Sequence, residues 1–200
     1  GVLSGLGVGQ IAALNSSLLA TLSVGQLGSL STAAVKAMDA VQVSALQVSQ
    51  LNSLGSNQVV ALDGADVNAL DSSSLQSLSN AFVASLSSTQ VQSLSTDKAV
   101  SLLTTSRLLQ LGSDIGKFST TQINSLSSTQ LQALRNIDPT SIASQQLSLL
   151  TSSFVAALGK SQIQALSTAQ VSALGSAQVA AIGVATLGSS QVGALSSTAF

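Results

Sequence analysis

The sequence predicts an all-α solenoid, a superhelical rod wound from very short helices. Three observations predict it. Leucine-type anchors recur every eight residues, a second aliphatic series lies three residues before them, and Ser, Gly or Asp followed three residues later by Gln opens unit after unit.

The anchor series starts at Leu6 and steps through Leu14, Leu22, Leu30, Met38, Leu46, Leu54, Leu62, Leu70, Leu78, Leu86, Leu94 and Leu102. It stumbles at Leu111, then resumes at Phe118, Leu126, Leu134, Ile142, Leu150, Leu158, Leu166, Leu174 and Ile182. One irregular unit separates these from Leu187 and Leu195. The second series includes Ile11, Leu27, Val43, Val59, Val91, Ile123, Val155, Val171 and Val179. Residues 1–200 thus read as a single array of about 24 octads, a segment of a longer chain.

A continuous helix does not fit this period. Eight residues overshoot two helical turns by about 80°, so the apolar seam would travel round the rod. Strands fit poorly as well, because their faces alternate every second residue and the two anchors are three apart. Ser, Ala and Gln also lack the β-branched density that strands favour. Turns could reconcile the spacing, so a β-solenoid stands as the alternative.

Short capped helices explain more positions. With Ser87 as N-cap, Gln90 is N3 and Val91 is N4, which makes a capping box with Leu86 at N′ as the hydrophobic staple. Ser23 with Gln26, Ser127 with Gln130 and Ser167 with Gln170 follow the same grammar. Gly55 with Gln58, Gly159 with Gln162 and Gly175 with Gln178 substitute glycine at the cap, and Asp63 with Asp66 keeps the register. Helices of five to seven residues cannot nucleate alone, so successive units must stack and share a core. Leu86, Leu94, Leu126, Leu134, Leu166 and Leu174 are its expected members, with Val91, Leu131 and Val171 beside them. The small residues Ala133, Ala165 and Ala173 are expected to let segments approach closely.

Three stretches break the rhythm: 97–118, 135–142 and 183–190. Pro139 falls near a unit start, where its missing N–H is tolerated, and Asp138 before it is a local cap. These read as bends, contact sites between copies, or drift and packing adjustment, rather than as domain boundaries.

The composition removes most chemistry. The chain holds six basic and seven acidic side chains and no Cys, His, Trp, Tyr or Glu. There is thus no His or Cys to serve as a base or thiolate and no zinc ligand set of the common kinds, and no catalytic or cofactor-binding residue is assigned. Lys160 beside Ser161 is too common a pairing in a serine-rich chain to mark a nucleophile. Asp63, Asp66 and Asp71 form an acidic cluster, but "DGADVNALD" is no calcium loop, and all three fit cap or N3 slots; no metal site is assigned. Scattered cations offer no track for a phosphate backbone, and no apolar run approaches the roughly 20 residues of a membrane helix. Nucleic acid and a membrane span in this segment are thus not expected.

The phrase "LSSTQ" followed by an aliphatic residue and a small-Leu pair, as in units 87–94, 127–134, 167–174 and 175–182, resembles repeats in very long, low-charge haemagglutinin- or adhesin-like surface proteins of Gram-negative bacteria. The resemblance implies an extracellular stalk, sheath or filament element. With few charges to oppose lateral packing, the expectation is a non-catalytic, self-associating extracellular filament or sheath component whose partners are copies of itself, end to end and side by side. A stalk segment of a large cell-surface adhesin is the alternative.

Overall fold

A computed structural model describes residues 7–134 and 137–195. Leu6 of the anchor series falls outside them. The chain divides into two compact units, residues 1–102 and 103–200. Among the described residues, helices and turns account for the regular structure and no strand is present, so the all-α solenoid is the observed class.

The first unit opens with α1 (Val8–Ala13), α2 (Ser16–Ala20), α3 (Val24–Gly28) and α4 (Thr32–Lys36). It continues through α5 (Ala40–Ser44), α6 (Val48–Leu51), α7 (Ser56–Ala61) and α8 (Gly64–Ala69). α9 (Ser72–Ser77), α10 (Asn80–Ser85), α11 (Ser88–Gln92) and α12 (Thr96–Leu102) complete it. The second unit contains α13 (Thr105–Leu108), α14 (Thr120–Asn124), α15 (Ser128–Gln132), α16 (Ser144–Ser148) and α17 (Ser152–Ala157). α18 (Lys160–Ala165), α19 (Thr168–Ser172), α20 (Ser176–Ile182) and α21 (Ser189–Ala194) follow. Helices span four to seven residues, slightly shorter at the low end than the repeat suggests.

Each helix stops for a local reason. At the α7–α8 junction Leu62 (φ −63°, ψ 143°) and Asp63 (φ −86°, ψ 172°) are both extended, so the chain leaves one helix and is capped into the next within two residues. The anchor leucine is thus the corner of the path. Turning the axis at the octad corners keeps most of the described anchors buried, which a straight helix could not do. Successive turns then stack. In the first unit α1 packs on α4, α2 on α5, α4 on α7, α5 on α8, α7 on α10 and α9 on α12. In the second, α16 lies on α19 and α17 on α20.

Both aliphatic series fill the interior. Leu86, Leu94, Leu126, Leu134, Leu166, Leu174, Val91 and Val171 are buried as expected. Leu131 is not: it is only half-buried and lines an open groove with Ser128, Gln132, Ser153, Ala156 and Ala157. The neighbouring turn there offers alanine side chains, too short to close over it.

Two of the irregular stretches meet each other. Gly112–Lys117 forms a 3-10 helix that packs against the 3-10 helix Pro139–Ser141. Gly112 has φ +52°, and its carbonyl accepts from the Asp138 N–H at 3.1 Å. Gly116 passes so close that a Cβ there would lie 2.9 Å from the Ser141 carbonyl oxygen. Asp138 caps as expected, accepting from the Thr140 N–H at 3.0 Å, and Pro139 occupies the first helical position. At the third irregular stretch Gly183 (φ +75°) turns the chain into the 3-10 helix Val184–Thr186.

Candidate functional site

The capping boxes form at the positions the sequence marks. Gln90 Oε1 accepts from the Ser87 N–H at 2.9 Å, while the Gln90 N–H donates to Ser87 Oγ. Ser23 with Gln26, Ser127 with Gln130 and Ser167 with Gln170 do the same. Behind a glycine cap the glutamine half survives alone: the N–H groups of Gly55, Gly159 and Gly175 donate to Gln58, Gln162 and Gln178, each at 2.8–2.9 Å.

That bond uses only the glutamine oxygen, and the amide nitrogen has a second task. Gln90 Nε2 donates to the carbonyls of Leu62 and Val59, both at 2.7 Å, 28 and 31 residues earlier. Gln42 reaches Leu14 and Ile11, Gln50 reaches Leu22 and Leu19, and Gln58 reaches Leu30 and Leu27. In the second unit Gln170 reaches Ile142 and Pro139, and Gln178 reaches Leu150 and Leu147. The acceptors are carbonyls at helix C-termini, where intrahelical donors run out; those of Ile11, Leu19, Leu27, Val59, Pro139 and Leu147 also accept from the anchor N–H three residues on. A single side chain therefore satisfies the N-terminus of its own helix and the C-terminus of a helix in the preceding turn. These glutamines are buried for that reason. The spacing of 28 residues places each turn at between three and four octads.

Some units lack glutamine at N3, and their exposed N–H is served from the turn before. Asn52 Oδ1 accepts from the Ser79 N–H at 2.6 Å, where N3 is Phe82. Asn124 Oδ1 accepts from the Thr151 N–H at 2.9 Å, where N3 is Phe154. Asn68 Oδ1 accepts from the Ser95 N–H at 2.8 Å, three residues before Lys98. Each asparagine stands 27 residues before the cap it serves. Lys98 itself donates to the Leu70 carbonyl, 28 residues back, as a glutamine would.

The acidic side chains are absorbed in the same way. Asp63 and Asp71 are N-caps, accepting from the N–H groups of Asp66 and Ser74. Asp66 takes the glutamine slot, its Oδ2 accepting from the Asp63 N–H at 2.8 Å. Burial pushes its carboxyl up to about 6, and the nearby charges of Asp63 and Asp39 push the same way, against the Asp63 backbone bond. The backbone N–H of Ser74 holds Asp71 below the usual carboxylate range, and burial lowers Arg107. Lys117 and Asp114 form an ion pair at 3.1 Å.

Among the described residues no group of three or more acidic, His or Cys side chains is arranged to hold a metal ion, and no helix is long and apolar enough to cross a membrane. The surface depressions are shallow grooves between turns. One is lined by Thr140, Ile142, Ser144, Ala165, Ser167 and Gln170, without a charged side chain. Sequence reasoning did not find the donors between turns. The available signal was chemical: a buried glutamine whose oxygen caps a helix still has an amide needing acceptors.

Residues 155–184, covering most of the stretch from α17 through α20, match the family model of the ALTTAQ repeat. This marks the chain as a repeat protein. No curated protein matches it.

Proposed function

We propose that this chain is a non-catalytic structural protein, a self-associating component of an extracellular filament or sheath. One observation carries the reading: many of the larger polar side chains that could build a binding site are already committed to backbone at helix ends, in their own helix or in the preceding turn. Glutamines, asparagines and aspartates serve helix ends, and Lys98 does as well. What such a molecule offers its surroundings is a surface of hydroxyls and small aliphatics with little charge. Its partners are further copies of the chain, since low charge density leaves lateral contact unopposed.

The stacking chemistry supports the same reading. Within each unit, glutamine donors of one turn meet carbonyls of the turn before, so turns add by a repeated rule. The resemblance to repetitive surface proteins of Gram-negative bacteria agrees with an extracellular location. A stalk within a large cell-surface adhesin is the second reading, favoured by the same uniformity.

Sedimentation and negative-stain electron microscopy of the purified chain over a wide concentration range distinguish the two. Concentration-dependent growth into ordered fibres is the expected result. Monomers at every concentration would overturn self-association and leave the stalk. Protease shaving of intact source cells tests the location, the expected result being release of fragments of this chain.

A further inference from the structure

The glutamine slot needs an acceptor and a donor on one planar group. Its oxygen takes the cap N–H, and its nitrogen donates to carbonyls 28 and 31 residues earlier. Asp66 occupies this slot in α8, which is packed between α5 and α11, and it is only 3% exposed. One carboxyl oxygen already does the glutamine oxygen's work. By the register of Gln58 and Gln90 on either side, whose amides meet carbonyls 28 and 31 residues earlier, the carbonyls that correspond to the other oxygen are those of Met38 and Val35. A carboxylate has no proton to give them, whereas a carboxylic acid has one. Gly64 lets α8 lie close against the following turn, because a Cβ there would run into the Ser93 side chain.

We infer that Asp66 is a proton-operated latch between turns, closed when its carboxyl is neutral and donates to the preceding turn, and loosened when it ionises. The charged groups facing it add to the effect. Asp39 caps α5, Asp63 caps α8 itself, and α11 carries no charged side chain, so both charges that meet the Asp66 carboxylate are negative. No cation from either packed helix offsets them.

The direction with pH follows from burial. The carboxyl is raised from an ordinary value near 3.8 to about 6 in the folded chain. Its stabilising contribution is therefore complete below about pH 4 and is lost as pH rises through about 6. The chain has no His or Cys, so no other side chain of ordinary pKa titrates between about pH 5 and 7. A stability change across that window reports on a displaced carboxyl alone.

The experiment follows thermal unfolding of the full chain at about pH 5 and about pH 7, beside Asp66→Asn and Asp66→Gln. The wild type is expected to melt about 2–6 °C higher at the acidic end. Asn and Gln, each carrying an acceptor and a donor without charge, are expected to abolish that difference. Hydrogen exchange, corrected for the intrinsic pH dependence, should show greater protection of 38–46 and 63–70 at the lower pH in the wild type only. Equal melting of the wild type at both pH values overturns the latch, and so does a pH slope that survives in Asp66→Asn. Should the variants fail to fold, a carboxyl NMR titration of the wild type decides: a midpoint for Asp66 above about 5 supports the latch, and one near about 4 overturns it.

Discussion

Replacing Gln178 by Glu isolates the bonds between turns from everything else the residue does. Gln178 Oε1 accepts from the Gly175 N–H at 2.9 Å, and Nε2 donates to the carbonyls of Leu150 at 2.7 Å and Leu147 at 2.9 Å. Glutamate keeps the shape and the cap acceptor but turns the donor into a second acceptor. Two carbonyl oxygens then face an anion in a site only 5% exposed. A lost hydrogen bond with a stranded buried partner costs about 1–3 kcal/mol. Leu147 O still accepts from the Leu150 N–H, which softens one of the two losses. The expected total is about 2–4 kcal/mol, or a fall of about 5–15 °C in Tm for a chain of this size. Circular dichroism near neutral pH measures it, and acidification should restore much of the loss as the carboxyl protonates. Gln26→Glu is the control, because Gln26 Oε1 accepts from the Ser23 N–H at 2.7 Å while its amide reaches no carbonyl among the described residues. Melting of Gln178→Glu within about a degree of the wild type, or an equal loss in Gln26→Glu, would refute the reasoning.

Other substitutions probe other parts of the scaffold. Leu126→Ala and Leu166→Ala remove buried anchors and should each cost about 2–5 kcal/mol, read by urea unfolding and faster proteolysis. Gly116→Ala pushes a methyl against the Ser141 carbonyl and should cost about 1–3 kcal/mol, whereas Gly25→Ala enters open space in α3 and should stabilise by about 0.5–1 kcal/mol. Asn68→Ala leaves the exposed Ser95 N–H to water and should cost about 0.5–1.5 kcal/mol, but less when combined with Lys98→Gln, whose own side chain can serve that cap. A double-mutant cycle showing no coupling would break the equivalence of asparagine and glutamine.

The array was legible from residues that act within their own octad. A capping box closes over three residues, so Ser87 and Gln90 announce their bond by spacing alone, as do Asp138 and Pro139 around their turn. The anchors were legible because eight-residue spacing returns a leucine to each corner, and Leu86, Leu126 and Leu166 are buried there. Leu131 shows the limit of that reading. Its place in the repeat matches Val91 and Val171, yet its exposure depends on Ala156 and Ala157 in another octad.

What the sequence by itself determined is therefore the local layer: where each helix starts, which residue caps it and which aliphatic turns inward. Only the tertiary structure decided the partnerships across 25 to 31 residues. These include Gln90 bonding to Leu62 and Val59, Asn124 rescuing Thr151 because Phe154 cannot, and two irregular stretches nesting through Gly116. The physical reason lies in the number of octads per turn. That number depends on the angle at every corner, a sum of small backbone rotations that no single octad specifies. Until the coil closes on itself, the glutamine amide has nothing to name as its acceptor.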